Sequence, residues 1–128
     1  MPLELIDIGA NLTHDSFDDD RDDMMRRAHD AGVTRMIVTG SSKQGSLDAL
    51  RLAESEPGRL FATAGVHPHH AADFDASSAE LITELAARDP VVAVGECGLD
   101  YFRNFSPREA QLEAFRAQLE IAAETGLP

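Results

Sequence analysis

Apolar residues gather along this chain in two ways. Short runs stand at Leu3–Ile8 (interrupted by Glu4 and Asp7), at Arg35–Thr39 around Met36-Ile37-Val38, at Leu60–Val66 and at Val91–Val94. Runs of this length predict strands, and the unbroken ones predict strands covered on both faces, as in a parallel sheet. Between the runs, apolar residues recur at helical steps: Met24, Ala28 and Ala31; Leu47, Leu50 and Ala53; Leu81, Leu85 and Ala86; Leu112, Phe115, Leu119 and Ala122. Each set predicts a helix with that face turned to the core.

The punctuation agrees. Asp15 or Ser16 can open the first helix, Asp18–Ala31, where early aspartates and the later Arg26, Arg27 and His29 complement the helix dipole. Gly32 ends it, and Ser42 can cap the second helix, which runs to Pro57-Gly58. Ser77 with Glu80, and Ser106 with Glu109, read as capping boxes, the second with Pro107 in the first turn. Gly126 closes the last helix.

Strands alternating with helices at regular spacing imply crossover connections and a parallel sheet. The expectation is an α/β domain over residues 1–128 made of parallel (βα)4 units, the N-terminal half of a TIM-type (β/α)8 barrel. An open four-stranded sheet is the alternative. The half-barrel is favoured because every strand end carries polar or glycine-rich residues, and because Gly126-Leu127-Pro128 falls where a fifth strand is due.

Composition narrows the function classes. With 43% hydrophobic and 27% charged residues, the 128-residue chain is neither disordered by composition nor built to span a membrane. Met1-Pro2-Leu3-Glu4 lacks the basic and apolar regions of a signal peptide, and the single Cys97 permits no intramolecular disulfide, so a cytoplasmic location is expected. The net charge of −12 excludes binding of nucleic acid through a broad basic face. Any action on a polyphosphate must rest on a local site, with a metal or a few arginines.

The residues capable of such chemistry all follow strands: Asp7 and Asn11 the first, His67 and His69 the third, Glu96 and Asp100 the fourth. In parallel α/β folds the C-terminal strand ends share one rim, where catalytic groups collect. Histidines with carboxylates on such a rim suit a divalent metal that activates water for hydrolysis. Gly95, just before Glu96, lets the chain leave the sheet closely packed. His67-Pro68-His69-His70 could equally be an ordinary exposed loop, the aspartate run at 18–23 a solvated helix start, and Cys97 a packed thiol. No glycine-rich phosphate loop is present.

Gly-Val-His-Pro-His (65–69) followed by Val-Gly-Glu-Cys-Gly-Leu-Asp-Tyr (94–101) resembles the TatD family of metal-dependent hydrolases. The similarity extends to Ile6–Phe17 and to Phe102–Ser106, which points to the TatD subgroup proper. The resemblance implies a TIM-type barrel, Mg²⁺-supported phosphodiester hydrolysis and deoxyribonuclease activity, commonly as a 3′–5′ exonuclease acting on single-stranded DNA or RNA ends. It implies Glu96 as a metal ligand, His67, His69 and Asp100 as catalytic residues, and Asn11 and Arg103 as substrate-binding residues.

Two departures from the family pattern stand out. Most of the wider family carries His-x-His after the first strand, where this chain, like the TatD subgroup, has Gly9-Ala10-Asn11. Asn11 is neutral and a poorer ligand for a second metal. The later histidine and aspartate motifs of the family would fall beyond Pro128, so the chain resembles an N-terminal half. A catalytic metal commonly takes about three protein ligands, and Glu96 is the one that can be named here. Two further readings stay open: a metal hydrolase of a small ester, amide or aminoacyl-nucleic acid, and a non-enzymatic half-barrel that associates with itself or with a complementary C-terminal half.

Overall fold

A computed structural model describes residues 3–128; Met1 and Pro2, part of the N-terminal segment considered above, lie outside the described residues. Strands and helices alternate: β1 (Leu5–Ala10), α1 (Arg21–Asp30), β2 (Val33–Val38), α2 (Lys43–Ser55), β3 (Leu60–Ala64), α3 (Ala76–Ala86), β4 (Val91–Val94) and α4 (Arg108–Thr125). Single 3₁₀ segments interrupt the connections at Asp15–Phe17 and Pro68–Asp73. The strands form one parallel four-stranded sheet in the order β1-β2-β3-β4. This is the expected (βα)4 arrangement.

The core lies between the sheet and the helices. Val38, Ala62 and Ala64 of the central strands are fully covered by Ala49, Leu50 and Ala53 of α2 and by Ile82 and Leu85 of α3. The alanines allow the helices to pack close to the sheet, and the branched and leucine side chains supply the buried area. Ser42 caps α2 as expected, its hydroxyl accepting Gly45 N–H at 2.9 Å.

Leu5 and Ile6 of β1 are exposed and Ile8 is 77% exposed, because among the described residues β1 is an edge strand paired only with β2. Three sequence expectations are corrected. The first α-helix begins only at Arg21, after a 3₁₀ turn that His14 caps by accepting Ser16 N–H at 3.1 Å; Asp15 and Ser16 lie inside that turn. The cap of α3 is Asp75 with Ser78 rather than Ser77 with Glu80. Asp75 Oδ1 accepts Ser78 N–H at 3.0 Å and Asp75 N–H is donated to Ser78 Oγ at 3.1 Å, so the aspartate and serine close the box two residues earlier.

The third correction matters most. α4 does not bury Leu112, Phe115, Leu119 and Ala122; it buries Gln111, Ala114, Gln118 and Ile121, and leaves Leu112 and Leu119 exposed. The helix is turned by one residue, about 100°, from the orientation its leucines predict. Polar satisfaction decides this, because both glutamines meet backbone groups that would otherwise stand unpaired in the interior.

The free edge of β4 also has a partner: Val94 N–H donates to the carbonyl of Pro128 at 2.9 Å. The chain after α4 thus returns beside β4, on the side away from β3.

Candidate active site

The rim is assembled from the backbone outward. At the end of β3, Gly65 lies against Gly95, and a Cβ on Gly65 would collide with the Gly95 backbone. Two successive peptides are then held by buried side chains. Ser46 of α2 donates its hydroxyl to Gly65 C=O and accepts Gly65 N–H, both at 3.1 Å. Gln118 of α4 accepts Val66 N–H at 2.8 Å and donates to Val66 C=O at 3.1 Å. His67 N–H donates to Ser41 C=O, beyond β2, at 2.8 Å. Its ring then turns back on its own loop, with Nδ1 accepting His69 N–H at 3.0 Å.

That last bond sets the tautomer of His67. Since Nδ1 is an acceptor, neutral His67 carries its proton on Nε2. Burial pushes its pKa below the ordinary imidazole value, against a smaller opposing pull from Glu96. His67 therefore presents Nε2–H to the rim as a neutral donor.

Glu96 is fixed from the other side. After β4, Gly95 N–H donates to Ala64 C=O at 2.8 Å and Glu96 N–H to Gly40 C=O at 2.7 Å. The exit of β4 is thereby tied to the ends of both β3 and β2. The Glu96 carboxylate lies 3.5 Å from His67 Nε2, accepts no hydrogen bond among the described residues, and is 53% exposed. It is an anion on a constrained backbone with its oxygens uncommitted.

A second cluster centres on Asp100. His69 Nε2 donates to its Oδ2 at 2.7 Å, and Arg103 donates Nη1–H to Oδ2 and N–H to Oδ1, each at 3.0 Å. These bonds, the Arg103 backbone first and then the His69 and Arg103 side chains, hold the Asp100 carboxyl far below the usual carboxylate range. Gln111, only 1% exposed, accepts Asp100 N–H at 2.7 Å and donates to Ser106 C=O at 2.9 Å. Ser106, read from sequence as a helix cap, instead donates its hydroxyl to His69 C=O at 3.0 Å and accepts Ala72 N–H at 3.1 Å. α4 starts at Arg108, and its N-cap residue Pro107 makes no side-chain cap hydrogen bond.

The two clusters meet edge to face, since the His67 and His69 ring centroids are 4.2 Å apart. The structure thus brings together His67, His69, Glu96, Asp100 and Arg103. Asn11, just past β1, makes no side-chain hydrogen bond to any of them. Among the described residues no three His, Cys, Asp or Glu side chains are grouped closely enough to hold a metal. A cleft of about 550 Å³ opens at the opposite end of the strands, lined by residues such as Pro57, Phe61 and Arg88, and includes none of these groups. Cys97 is partly buried; burial first, and Glu96 second, raise its thiol pKa, so it is not activated as a nucleophile.

The residues that sequence reasoning missed are the braces: Ser46, Ser106, Gln111 and Gln118, all about 1% exposed. One signal was present. Gln111 and Gln118 stand seven residues apart on a face otherwise made of Ala114 and Ile121.

Known proteins resemble this chain over nearly its whole length. The family model described as TatD related DNase matches residues 6–128. A 3′-5′ ssDNA/RNA exonuclease TatD from Pantoea sp. (strain At-9b) is 51% identical over 97% of this chain and 48% of its own length. The protein of the same description from Shigella flexneri serotype 5b is 50% identical over 97% of this chain and 47% of its own length. Among solved structures, a TatD homolog from Escherichia coli K12 superposes with a TM-score of 0.88 at 32% identity, covering 100% of this chain and 50% of that one. A TatD-family hydrolase from Entamoeba histolytica gives a TM-score of 0.81 at 29% identity, over 97% of this chain and 47% of that one. The chain spans about half the length of the relatives it matches. By this family match over residues 6–128 and the shared sheet topology, the chain belongs to the family of TatD-related DNases.

Proposed function

We propose that this chain carries the N-terminal half of the active rim of a metal-dependent phosphodiester hydrolase that shortens single-stranded DNA or RNA from the 3′ end. The observation that carries the reading is the rim itself: Glu96 with unbonded carboxylate oxygens, 3.5 Å from the Nε2 of a neutral His67, beside the His69–Asp100–Arg103 cluster.

The donor chemistry fits one side of a hard divalent cation such as Mg²⁺. A carboxylate is the ligand such a cation prefers, and Glu96 would give up no hydrogen bond to bind it. His67 is not a ligand in this arrangement, because its Nε2 bears the proton. When bound, the cation supplies a Lewis acid for the phosphoryl oxygen and lowers the pKa of attacking water. The chain's own groups do the rest. His67 Nε2–H donates to a non-bridging phosphate oxygen or to the leaving oxygen. His69 is held beside His67 by the Nε2–H bond to Asp100. Arg103, anchored on Asp100, offers its remaining guanidinium donors to a phosphate, and Asn11 contributes an uncharged contact from β1. The cytoplasm is the expected site of action.

Because the described residues hold no trio of metal donors, cleavage draws its remaining ligands from elsewhere, and a complementary C-terminal half would continue the sheet from the side of β4 where Pro128 pairs. The test is complementation. The chain is mixed with the C-terminal half of the Pantoea relative and given a 5′-labelled single-stranded oligonucleotide. Stepwise shortening that EDTA stops and Mg²⁺ restores is expected. EDTA-insensitive cleavage, or turnover of a small ester with no shortening of the oligonucleotide, would overturn the reading.

A further inference from the structure

The β4–α4 connection concentrates aromatic rings where the fold has no use for them. Of six Phe and one Tyr in the chain, Tyr101, Phe102 and Phe105 all fall in this loop. Phe102 is 93% exposed and Phe105 69% exposed. The loop is not slack: Asn104 N–H donates to Asp100 C=O at 3.2 Å and its side chain to Tyr101 C=O at 2.8 Å, which holds Phe102 at the outer bend of a closed turn. Arginines interleave with the rings. Arg103 follows Phe102, and the Arg108 guanidinium sits 4.6 Å over the Tyr101 ring. Phe105 meets His69 edge to face at 4.7 Å, so the platform adjoins the Asp100 cluster directly.

We infer that this loop is a stacking platform for an unpaired nucleobase next to the scissile phosphate, with the exposed face of Phe102 as its main surface; the inference rests on the proposed hydrolase reading. Exposed aromatic faces interleaved with arginine are what single-stranded nucleic acid binds, because every base has a π-face and needs no particular sequence to stack. In a duplex those faces are already occupied by neighbouring bases. The platform therefore selects single strands. It also answers a problem set by the net charge of −12, which repels the phosphate backbone over long range. Stacking supplies affinity that charge does not. The alternative occupant, another protein surface, would leave strand binding indifferent to Phe102.

The test uses the full chain and a labelled single strand carrying 2-aminopurine at its 3′ end. Wild type should bind, seen as an anisotropy rise, and should quench the 2-aminopurine. Phe102→Ala should weaken binding about 5- to 150-fold and abolish the quench, the range expected for one stacked base. Phe102→Trp should restore both. With an abasic 3′ end, wild type and Phe102→Ala should bind alike. Because Phe102 is exposed, melting should be unchanged among the variants. Equal binding of the intact strand by wild type and Phe102→Ala would overturn the inference, as would no binding by wild type, or an equal loss on intact and abasic strands. The hydrolase reading fails separately: binding and quenching with no cleavage on complementation leaves the platform standing, whereas cleavage indifferent to Phe102 removes the platform alone.

Discussion

Replacing Gln111 by Leu tests whether α4 holds the Asp100–Ser106 loop in place. The exchange nearly preserves volume but removes a carboxamide that is 1% exposed. Three hydrogen bonds are lost: from Asp100 N–H at 2.7 Å, to Ser106 C=O at 2.9 Å and to Asp100 C=O at 3.3 Å. A buried polar group left without a partner costs about 1–3 kcal/mol. The Ser106 bond is buried and carries the full penalty, while the Asp100 groups are part-buried and recover some of it from water. The net loss is then about 2–3 kcal/mol. For a domain of this size each kcal/mol shifts Tm by about 4 °C, so a fall of about 8–12 °C is expected. Thermal melting by circular dichroism reads it, with exposed Glu113→Gln as the control that should not move. A Tm within about 2 °C of wild type, small against the shift expected from the lost bonds, would show that the loop is held by something else and that the brace is misread.

Other outcomes follow from the same geometry. Asp100→Asn should destabilise the chain at neutral pH, where the carboxylate is bonded. A carboxyl held below its ordinary pKa contributes stability above the unfolded value of about 3.8 and loses it as the pH falls further, so the gap in Tm should narrow steadily below that pH. His67→Ala should lower the cleavage rate of the complemented protein by about 10²-fold or more, the usual size of a lost general acid, whereas His29→Ala, on exposed α1, should leave it unchanged; equal rates would remove the distinction. The chain alone should elute above its 13.8 kDa mass in size-exclusion chromatography, since β1 and α4 expose Ile8, Leu112 and Leu119. Leu112→Glu with Leu119→Glu should shift it toward monomer, and an unchanged profile would place the contact elsewhere.

The strand–helix order and the rim were legible because each rests on a local signal. A run such as Val91–Val94 has no other stable use than a buried strand, and a glycine before Glu96 marks a tight exit. What was not legible depends on long-range pairing. Leu112 and Leu119 make a convincing core stripe until Gln118 meets the Val66 peptide, 52 positions away in sequence, and Gln111 meets the loop it shares with Ser106. The hydroxyl of Ser106 likewise has a local use as a cap and a distant use as a link to His69; the distant one won because it pairs two otherwise unpaired backbone groups. The exposure of β1 follows from its edge position, which alternation of apolar residues alone does not reveal. Of the site itself, the identities of His67, His69, Glu96 and Asp100 came from their places after strands, while the tautomer of His67 came only from the bond its Nδ1 accepts.

The central claim is that the uncommitted carboxylate of Glu96 serves a metal in hydrolysis rather than the packing of the sheet. Glu96→Gln keeps the shape and removes the charge a hard cation requires. Measured as shortening of the single-stranded oligonucleotide by the complemented protein in Mg²⁺, its rate should fall by at least about 10³-fold, of the order of losing a dominant electrostatic contribution to the transition state. Its melting temperature in EDTA should stay at the wild-type value. A variant that retained the wild-type rate in Mg²⁺ would contradict the account.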